Sequence, residues 1–390
     1  MKFWAVRLGS IGLAVLVSFG IGMIAQGSSG TVSRLIALAG LYVTLAVSLN
    51  LINGITGQFS IGHAAFYQVG SYTAAFLASI LLSRGVISNL GTPIPWVLVA
   101  VATSLVTAGI AGLFIGLPSL RLRGDYLAIV TLGFGEILRI IIQNTPQLGG
   151  SYGINSPKAF VVPYVWMLTF LCVGVCRNLL QTAHGLSFLS VREDEVASSA
   201  MGVNVTRVKV AAFVIGSAFA GAAGALLTFN EGFINVNSFT MDVSFIILTM
   251  VVLGGTGSVT GSIVAALTLF ILPEVLRDAP AMPLNAVLGT LAGIALLVGT
   301  IRLAMDHKGL GRSIWMPKTY MGIGIAVAGG VVVSVLANYL PALTNRTIPS
   351  AELRMVIFSA VLVIMMLLRP QGIFGVRELG LKSFFRRANA

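Results

Sequence analysis

The sequence predicts an all-α polytopic membrane protein, a transmembrane helical bundle with helices broken at mid-membrane. Of the 390 residues, 56% are hydrophobic and only 9% are charged, and the mean hydropathy is +0.96. A soluble fold of this length cannot bury so much apolar surface. The apolar residues form long runs, whereas a transmembrane barrel shows alternating strands of about ten residues. These observations exclude a cytosolic enzyme, a disulfide scaffold and a disordered chain.

Apolar runs recur along the whole chain, and a helix of about 20 residues is enough to cross the hydrocarbon core. The run at 243–273 is too long for one span and too short for two, and glycines interrupt it, so we expect a broken or re-entrant pair. The first run has the charge pattern of a signal peptide, but no small-residue cleavage site follows it, which favours a retained helix. We expect about 10–12 spans in a single transmembrane domain, residues 1–390. The individual spans are predicted near 8–26, 35–53, 59–82, 95–117, 126–143, 160–176, 208–230, 284–303, 319–340 and 352–368, the span near 319–340 being an extra C-terminal one.

Positive charges predict the orientation, because Lys and Arg accumulate in cytoplasmic loops. With the N-terminus in the cytoplasm, 17 of the 24 Lys and Arg residues fall on the cytoplasmic side and 6 on the outer side, and Arg139 lies within a span. The C-terminus is then cytoplasmic too. The net charge of +12 is spread between apolar runs, which suits anionic membrane lipid better than nucleic acid.

A glycine-rich break interrupts the second apolar region at 54–60, and polar residues surround it. Lipid cannot satisfy the backbone groups that such a break leaves unpaired, so it must be buried in protein or line a wet cavity. Polar residues within spans usually mark a transport pathway, and helix packing through Asn, Ser and Gly is the alternative. The candidate pathway residues here are Asn50, Asn53, Thr56, Gln58, Ser60 and His63.

A second glycine-rich break, at 254–260, resembles the first at an offset of 200 residues. Gly, Thr and Gly coincide in the two strings, and a hydroxyl residue follows the last Gly at the same distance. Seven residues leave both chance and duplication open. Thr256 is the candidate pathway residue of the second break.

A carboxylate lies inside the fifth predicted span, where burial of the charge costs about 2.5–3.5 kcal/mol. Glu136 is followed three positions later by Arg139, which puts both side chains on one helix face. A structural ion pair that fixes helix packing is the favoured interpretation, and a pathway carboxylate is the alternative.

Catalytic and metal-binding patterns are lacking in the sequence. The two cysteines, Cys172 and Cys176, lie inside an apolar run, and the three histidines have no metal-ligand spacing. The sequence also has no phosphate-binding GxxxxGK[ST] loop. We therefore expect no metal and no cofactor bound by this chain, and we do not expect an enzyme. If transport is driven by ATP, the ATPase must be another polypeptide.

The longest loop between spans, 177–207, is predicted to be cytoplasmic and carries the most specific string of the sequence. Its charged run begins at Arg192, a short helix of small residues follows, and Gly202 is placed to end that helix. A short cytoplasmic helix of this kind is suited to docking in a groove of a partner protein. A solvated connector helix is the alternative.

This loop, and several other motifs in the same order, resemble the permease subunits of ATP-binding-cassette importers for branched-chain amino acids, of the LivM type. The other matching segments are 53–64, 124–136, 254–258 and 369–375. The resemblance implies partners: a sister permease, two cytoplasmic ATPases that use ATP and Mg, and a periplasmic amino-acid-binding protein. It also implies a multi-pass protein of the bacterial inner membrane. The residues that it assigns to coupling with the ATPases are Arg192, Glu193, Asp194, Glu195, Ala200, Met201 and Gly202.

The predicted function is therefore ATP-driven import of branched-chain, hydrophobic amino acids, with this chain as one permease subunit. A permease of the same family for urea, short amides or other amino acids is the first alternative. An ion-coupled secondary transporter would need an ion site within the spans, for which only Glu136 is well placed. The region 281–350 looks longer than the family pattern, and the sequence assigns it no role.

Overall fold

The computed structural model describes residues 2–85, 94–119 and 125–275, together with the short segments 282–283 and 347–348. Almost all of these residues are helical. The helices are α1 Lys2–Gln26, α2 Gly30–Asn50, α3 His63–Ser83, α4 Ile94–Ser119, α5 Asp125–Gln143, α6 Val162–Leu180, α7 Ala183–Glu193, α8 Glu195–Ala200, α9 Val205–Glu231, α10 Met241–Gly254 and α11 Val259–Val275. The strands are β1 Ile154–Asn155, β2 Phe233–Ile234, β3 Met282–Pro283 and β4 Thr347–Ile348.

The predicted all-α polytopic bundle is confirmed. Within the described residues, seven helical segments are long and apolar enough to cross a membrane. The run at 243–273 is a broken pair, as predicted, with α10 and α11 on either side of residues 255–258. The predicted spans near 284–303, 319–340 and 352–368 lie outside the described residues. The seven segments are Gly30–Ile55, His63–Ser83, Ile94–Leu117, Tyr126–Gln143, Val162–Leu180, Val205–Glu231 and Val236–Gly254.

The chain divides into two compact units, one formed by residues 1–267 with 374–390 and the other by 268–373. In the first unit, β1 pairs antiparallel with β2. In the second unit, β3 pairs antiparallel with β4. The single transmembrane domain predicted over 1–390 stays a prediction.

Contacts between distant loops divide the first unit into two ends. At one end, Arg34 at the start of α2 pairs with Glu231 at the end of α9 at 2.8 Å, and β1 pairs with β2. At the opposite end, Gln58 after α2 donates to the Lys209 carbonyl near the start of α9 at 3.3 Å. The two ends of α2 and the two ends of α9 therefore lie at opposite ends of the unit, as they must if each of these helices crosses it.

Helix α9 lies at the centre of this unit, packed against α2, α3 and α4 through small residues. A row of small residues spaced four apart, Gly216, Ala220 and Gly224, is buried on this helix. A side chain on Gly216 would meet the Ser48 carbonyl of α2, and one on Gly224 would meet the Tyr67 carbonyl of α3. Backbones approach this closely only where side chains are absent or small.

The close contact between α3 and α9 predicts that a substitution there lowers the stability of the protein. Gly70 of α3 faces the Gly221 backbone of α9, and a Cβ on Gly70 would overlap that backbone. We expect Gly70→Val to cost about 1–3 kcal/mol of stability, because the helices must separate to admit the side chain. Gly174→Val is the matched control, since a Cβ built there meets no atom within 4 Å apart from the local backbone of its own helix. The two variants are compared by thermal unfolding of the purified proteins in detergent. Equal unfolding midpoints would contradict the close contact between α3 and α9.

Candidate functional site

The first glycine-rich break is a structured segment, held by the polar residues around it. Helix α2 continues as one π-helical turn, Leu51–Ile55. The Asn53 side chain then bonds both backbone groups of Ser60, donating to its carbonyl at 3.0 Å and accepting from its N–H at 3.2 Å. The Thr56 hydroxyl donates to the Leu51 carbonyl at 2.7 Å. These bonds satisfy part of the backbone that the break exposes, which is the requirement inside a membrane.

Residues 56–62 lead from one end of the bundle into its interior. The segment begins beside Lys209, to which Gln58 donates. It ends where the Ile61 N–H donates to the Thr131 hydroxyl of α5 at 3.1 Å and the Ala64 N–H donates to the Ser244 hydroxyl of α10 at 3.0 Å. Ser244 lies ten residues before the end of α10, about 15 Å along that helix. Helix α3 therefore begins inside the bundle rather than at its end.

The two glycine-rich breaks lie against each other. The Asn50 Oδ1 accepts a hydrogen bond from the Gly257 N–H at 2.8 Å. A Cβ on Gly54 would overlap both of these groups, so only glycine allows the approach. The two breaks also share local geometry, since Gly57 and Gly257 have φ of 72° and 96°. Residues that are 207 positions apart thus form one junction.

Arg192, from the predicted coupling string, reaches this junction. Its Nη1 donates to the Gly54 carbonyl at 3.2 Å, while its Nε and Nη2 donate to Glu193 Oε1 at 3.1 and 2.7 Å. Side-chain atoms of Arg192 also lie beside Gly57 and Gly257. Its side chain is 21% exposed, compared with 72% for Glu193. The charged string is therefore in direct contact with both breaks.

The coupling string forms two helices rather than one. Arg192 and Glu193 end α7, and Asp194 is extended, with φ −158° and ψ 113°. The Asp194 carboxylate caps α8 by accepting from the N–H groups of Val196 and Ala197 at 2.8 and 3.0 Å. A single helix through 192–202 would leave this carboxylate without its capping role. The charged run is thus a hinge between α7 and α8.

Helix α8 ends as the sequence predicts and presents an exposed surface. Gly202, with φ of 85°, follows the last turn, and the Val203 N–H bonds the Ser198 carbonyl at 3.0 Å. This is the bonding of a glycine-terminated helix. Ala200 is exposed, Met201 is 84% exposed and Val196 is 68% exposed.

An ion pair fixes α8 to the start of α9. Glu195 pairs with the Nζ of Lys209. The Lys209 side chain is only 8% exposed, whereas that of Glu195 is 38% exposed. Since the Lys209 carbonyl also accepts from Gln58, this pair gives the α8 region a second connection to the first break.

Glu136 pairs with Arg139 at 2.8 Å, as the favoured interpretation predicted. Both side chains are about one-quarter exposed. Glu136 also lines a narrow cleft that is bounded by the starts of α3 and α10, with a volume of about 10 Å³, room for a single water molecule. The other lining residues are Ile61, Gly62, Ala64, Ala65, Leu132, Gly135, Phe239, Thr240, Met241 and Ser244.

The candidate pathway residues of the first break come together, and all six are buried. His63 Nε2 contacts the Ser48 hydroxyl at 2.8 Å. Thr256, on the second break, is exposed. Among the described residues, no three His, Cys, Asp or Glu side chains form a group that could hold a metal ion. The pathway role of these residues stays a prediction.

Sequence reasoning missed Gln68, Thr131, Lys209 and Ser244. Gln68 is fully buried in α3, and in the described part of the chain neither of its amide atoms has a hydrogen-bond partner. Its position within an apolar run is a signal that the sequence carries, since buried polar groups in membranes need partners. Thr131 and Ser244 carry no such signal, because hydroxyl residues are common in membrane helices.

Comparison with known proteins gives consistent matches. Residues 31–300 match the family described as "Branched-chain amino acid transport system / permease component". The chain is 35% identical over 287 residues to the high-affinity branched-chain amino acid transport system permease protein LivM of Escherichia coli (strain K12), covering 64% of this chain and 64% of that protein. It thus spans just under two thirds of that relative's length.

More distant relatives include both kinds of permease subunit. A probable branched-chain amino acid transport permease protein LivM of Methanocaldococcus jannaschii is 29% identical over 281 residues, 63% of this chain and 81% of the relative. The LivH permease protein of Escherichia coli (strain K12) is 27% identical over 256 residues, 60% of this chain and 81% of the relative. No solved structure matches the chain.

Proposed function

The chain belongs to the family of permease components of branched-chain amino acid transport systems, and from this membership we propose that it is one permease subunit of an ATP-binding-cassette importer. The importer moves branched-chain amino acids into the cytoplasm. Its other components are a sister permease, two cytoplasmic ATPases and a periplasmic amino-acid-binding protein. This chain binds no nucleotide itself, and ATP and Mg are used by the ATPases. Similarity to both LivM and LivH proteins supports a pair of related permeases.

One observation carries the proposal: the exposed helix α8 lies at the same end of the bundle as both glycine-rich breaks. Met201 and Val196 are exposed apolar side chains there, next to the extended residue Asp194. Both side chains are accessible to a partner protein. The excess of positive charge supports a cytoplasmic location for this end and for both termini, in the inner membrane.

The pathway in this proposal follows the first break into the bundle. The segment 56–62, Thr256 and the cleft at Glu136 supply its polar surface, and the sister permease supplies the opposite side. Helix N-termini at the starts of α3 and α10 direct partial positive charge toward this region, which favours the carboxylate of an amino acid. Weak binding is sufficient, because tight binding would slow release.

Reconstitution tests the proposal. The complex is purified through a tag on this chain and placed in liposomes, with ATP enclosed and the binding protein and labelled leucine outside. We expect leucine accumulation that requires enclosed ATP, and no accumulation by this chain alone. Competition by urea or short amides, without competition by isoleucine or valine, would reassign the substrate. Ion-driven accumulation by the chain alone would contradict the proposal.

A further inference from the structure

Arg192 is the residue through which the α7–α8 segment holds both glycine-rich breaks at once. Its guanidinium donates to the Gly54 carbonyl at the end of the π-helical turn of α2. Gly257, whose N–H bonds Asn50, lies beside the same Nη1, since a Cβ built on Gly257 would be 2.6 Å from that atom. One side chain therefore connects the hinge after α7 with two helix pairs, α2–α3 and α10–α11.

The close fit around Arg192 distinguishes it from a surface cation. A Cβ on Gly57 would lie 2.9 Å from Arg192 Cγ, and a Cβ on Gly257 would lie 2.6 Å from its Nη1. Both glycines also have positive φ, which other residues rarely adopt. Glu193 accepts from Nε and Nη2, so the planar guanidinium is held in one orientation with Nη1 directed at Gly54.

Only Asp194 separates α7, which ends at Glu193, from α8, which begins at Glu195. Asp194 caps α8, and Glu195 binds that helix to Lys209. A displacement of α8 therefore acts on the chain next to Arg192. The guanidinium bonds the backbone carbonyl of Gly54 rather than a flexible side chain. A displacement of α8 would therefore act directly on the backbone of the first break.

We propose that Arg192 is a positioning residue that transmits movement of α8 to the junction between the two breaks. This inference rests on the proposed function, in which an ATPase displaces α8. Arg192 contacts neither substrate nor nucleotide. It acts through Gly54 and Gly257, whose relative position sets the inner end of the pathway.

The first experiment compares leucine transported per ATP hydrolysed in the reconstituted complex. Arg192→Met keeps an unbranched apolar stem but removes the guanidinium and its donors, and we expect the ratio to fall about tenfold because a charge-assisted hydrogen bond is lost. Arg192→Lys keeps one charged donor and should restore part of the ratio. Arg207→Met is the matched control, since Arg207 is exposed near the same loop, and it should leave the ratio unchanged. If Arg192 had only a structural role, the substitution would lower transport and ATP hydrolysis together and leave their ratio unchanged.

The second experiment does not depend on transport. Thr56, between the two arginine contacts at Gly54 and Gly57, is 2% exposed, so a Thr56→Cys variant should react slowly with a maleimide. The added Arg192→Met change should speed this reaction about tenfold, and Arg207→Met should not.

The outcomes separate the inference from the proposed function. If the unsubstituted complex transports leucine and Arg192→Met leaves both the ratio and the maleimide reaction of the Thr56→Cys variant unchanged, the role of Arg192 is overturned and the function stands. If the unsubstituted complex does not transport leucine, the function fails. The maleimide reaction then decides whether Arg192 holds the junction.

Discussion

Replacing Met201 with Glu should release the ATPases and abolish ATP-driven uptake. Met201 directly follows α8 and is 84% exposed, so it is placed to enter an apolar groove of a partner. Central apolar contacts of this kind carry about 2–4 kcal/mol of binding, and a carboxylate in the groove would add a desolvation cost. We expect affinity for the ATPases to fall at least about 30-fold. Co-purification and uptake in vesicles measure the effect.

Two controls make this result specific to α8. Met201→Leu keeps the apolar volume and should retain ATPase binding. Tyr152→Glu makes the same kind of change at a residue that is 92% exposed in the loop between α5 and α6, at the opposite end of the bundle. It should leave the ATPases bound. Retained binding in Met201→Glu, with the chain folded, would exclude α8 as the docking helix.

The second large effect is a loss of stability, expected when the ion pair between Glu195 and Lys209 is broken. Removing one partner of a buried ion pair costs about 3–5 kcal/mol, and the partial exposure of Glu195 lowers our expectation for Glu195→Gln to about 2–3 kcal/mol. The cost arises because the Lys209 ammonium, 8% exposed, is left without its counter-charge. Lys209→Met should lower the stability by less than Glu195→Gln does, since the remaining carboxylate of Glu195 is in contact with water.

A double substitution tests this asymmetry. Glu195→Gln combined with Lys209→Met removes both charges and should recover most of the lost stability, because no buried charge remains. The measurement is thermal unfolding of the four proteins in one detergent. Equal costs for the two single substitutions, with additive loss in the double, would show that the pair is energetically unimportant.

Local features of the structure could be predicted from the sequence. The spans within the described residues follow from apolar runs, and the end of α8 just before Gly202 follows from that glycine. The pairing of Glu136 with Arg139 follows from their spacing on one helix. The polar residues of the first break can also be recognised as a group, because they are near neighbours in the chain. These features depend on residues within a few helical turns.

The long-range features could not be predicted in this way. Asn50 meets Gly257 across 207 residues, and Arg192 meets Gly54 across 138 residues. Apolar periodicity shows that a helix is buried but does not identify its neighbours. The break between α7 and α8 at Asp194 cannot be predicted for a different reason: charged residues suit both a helix interior and a cap, and the backbone conformation decides between them. The place where α3 begins depends on hydroxyl contacts from α5 and α10.

The central claim is that α8 lies on the cytoplasmic face, where an ATPase can reach it. Single cysteines at Met201 and Tyr152, probed with a membrane-impermeant maleimide in intact cells whose outer membrane admits the reagent, test it directly. The native Cys172 and Cys176 are buried and should contribute little signal. We expect the Tyr152→Cys variant to react in intact cells and Met201→Cys to react only after the inner membrane is opened. Reaction of Met201→Cys in intact cells would contradict the account.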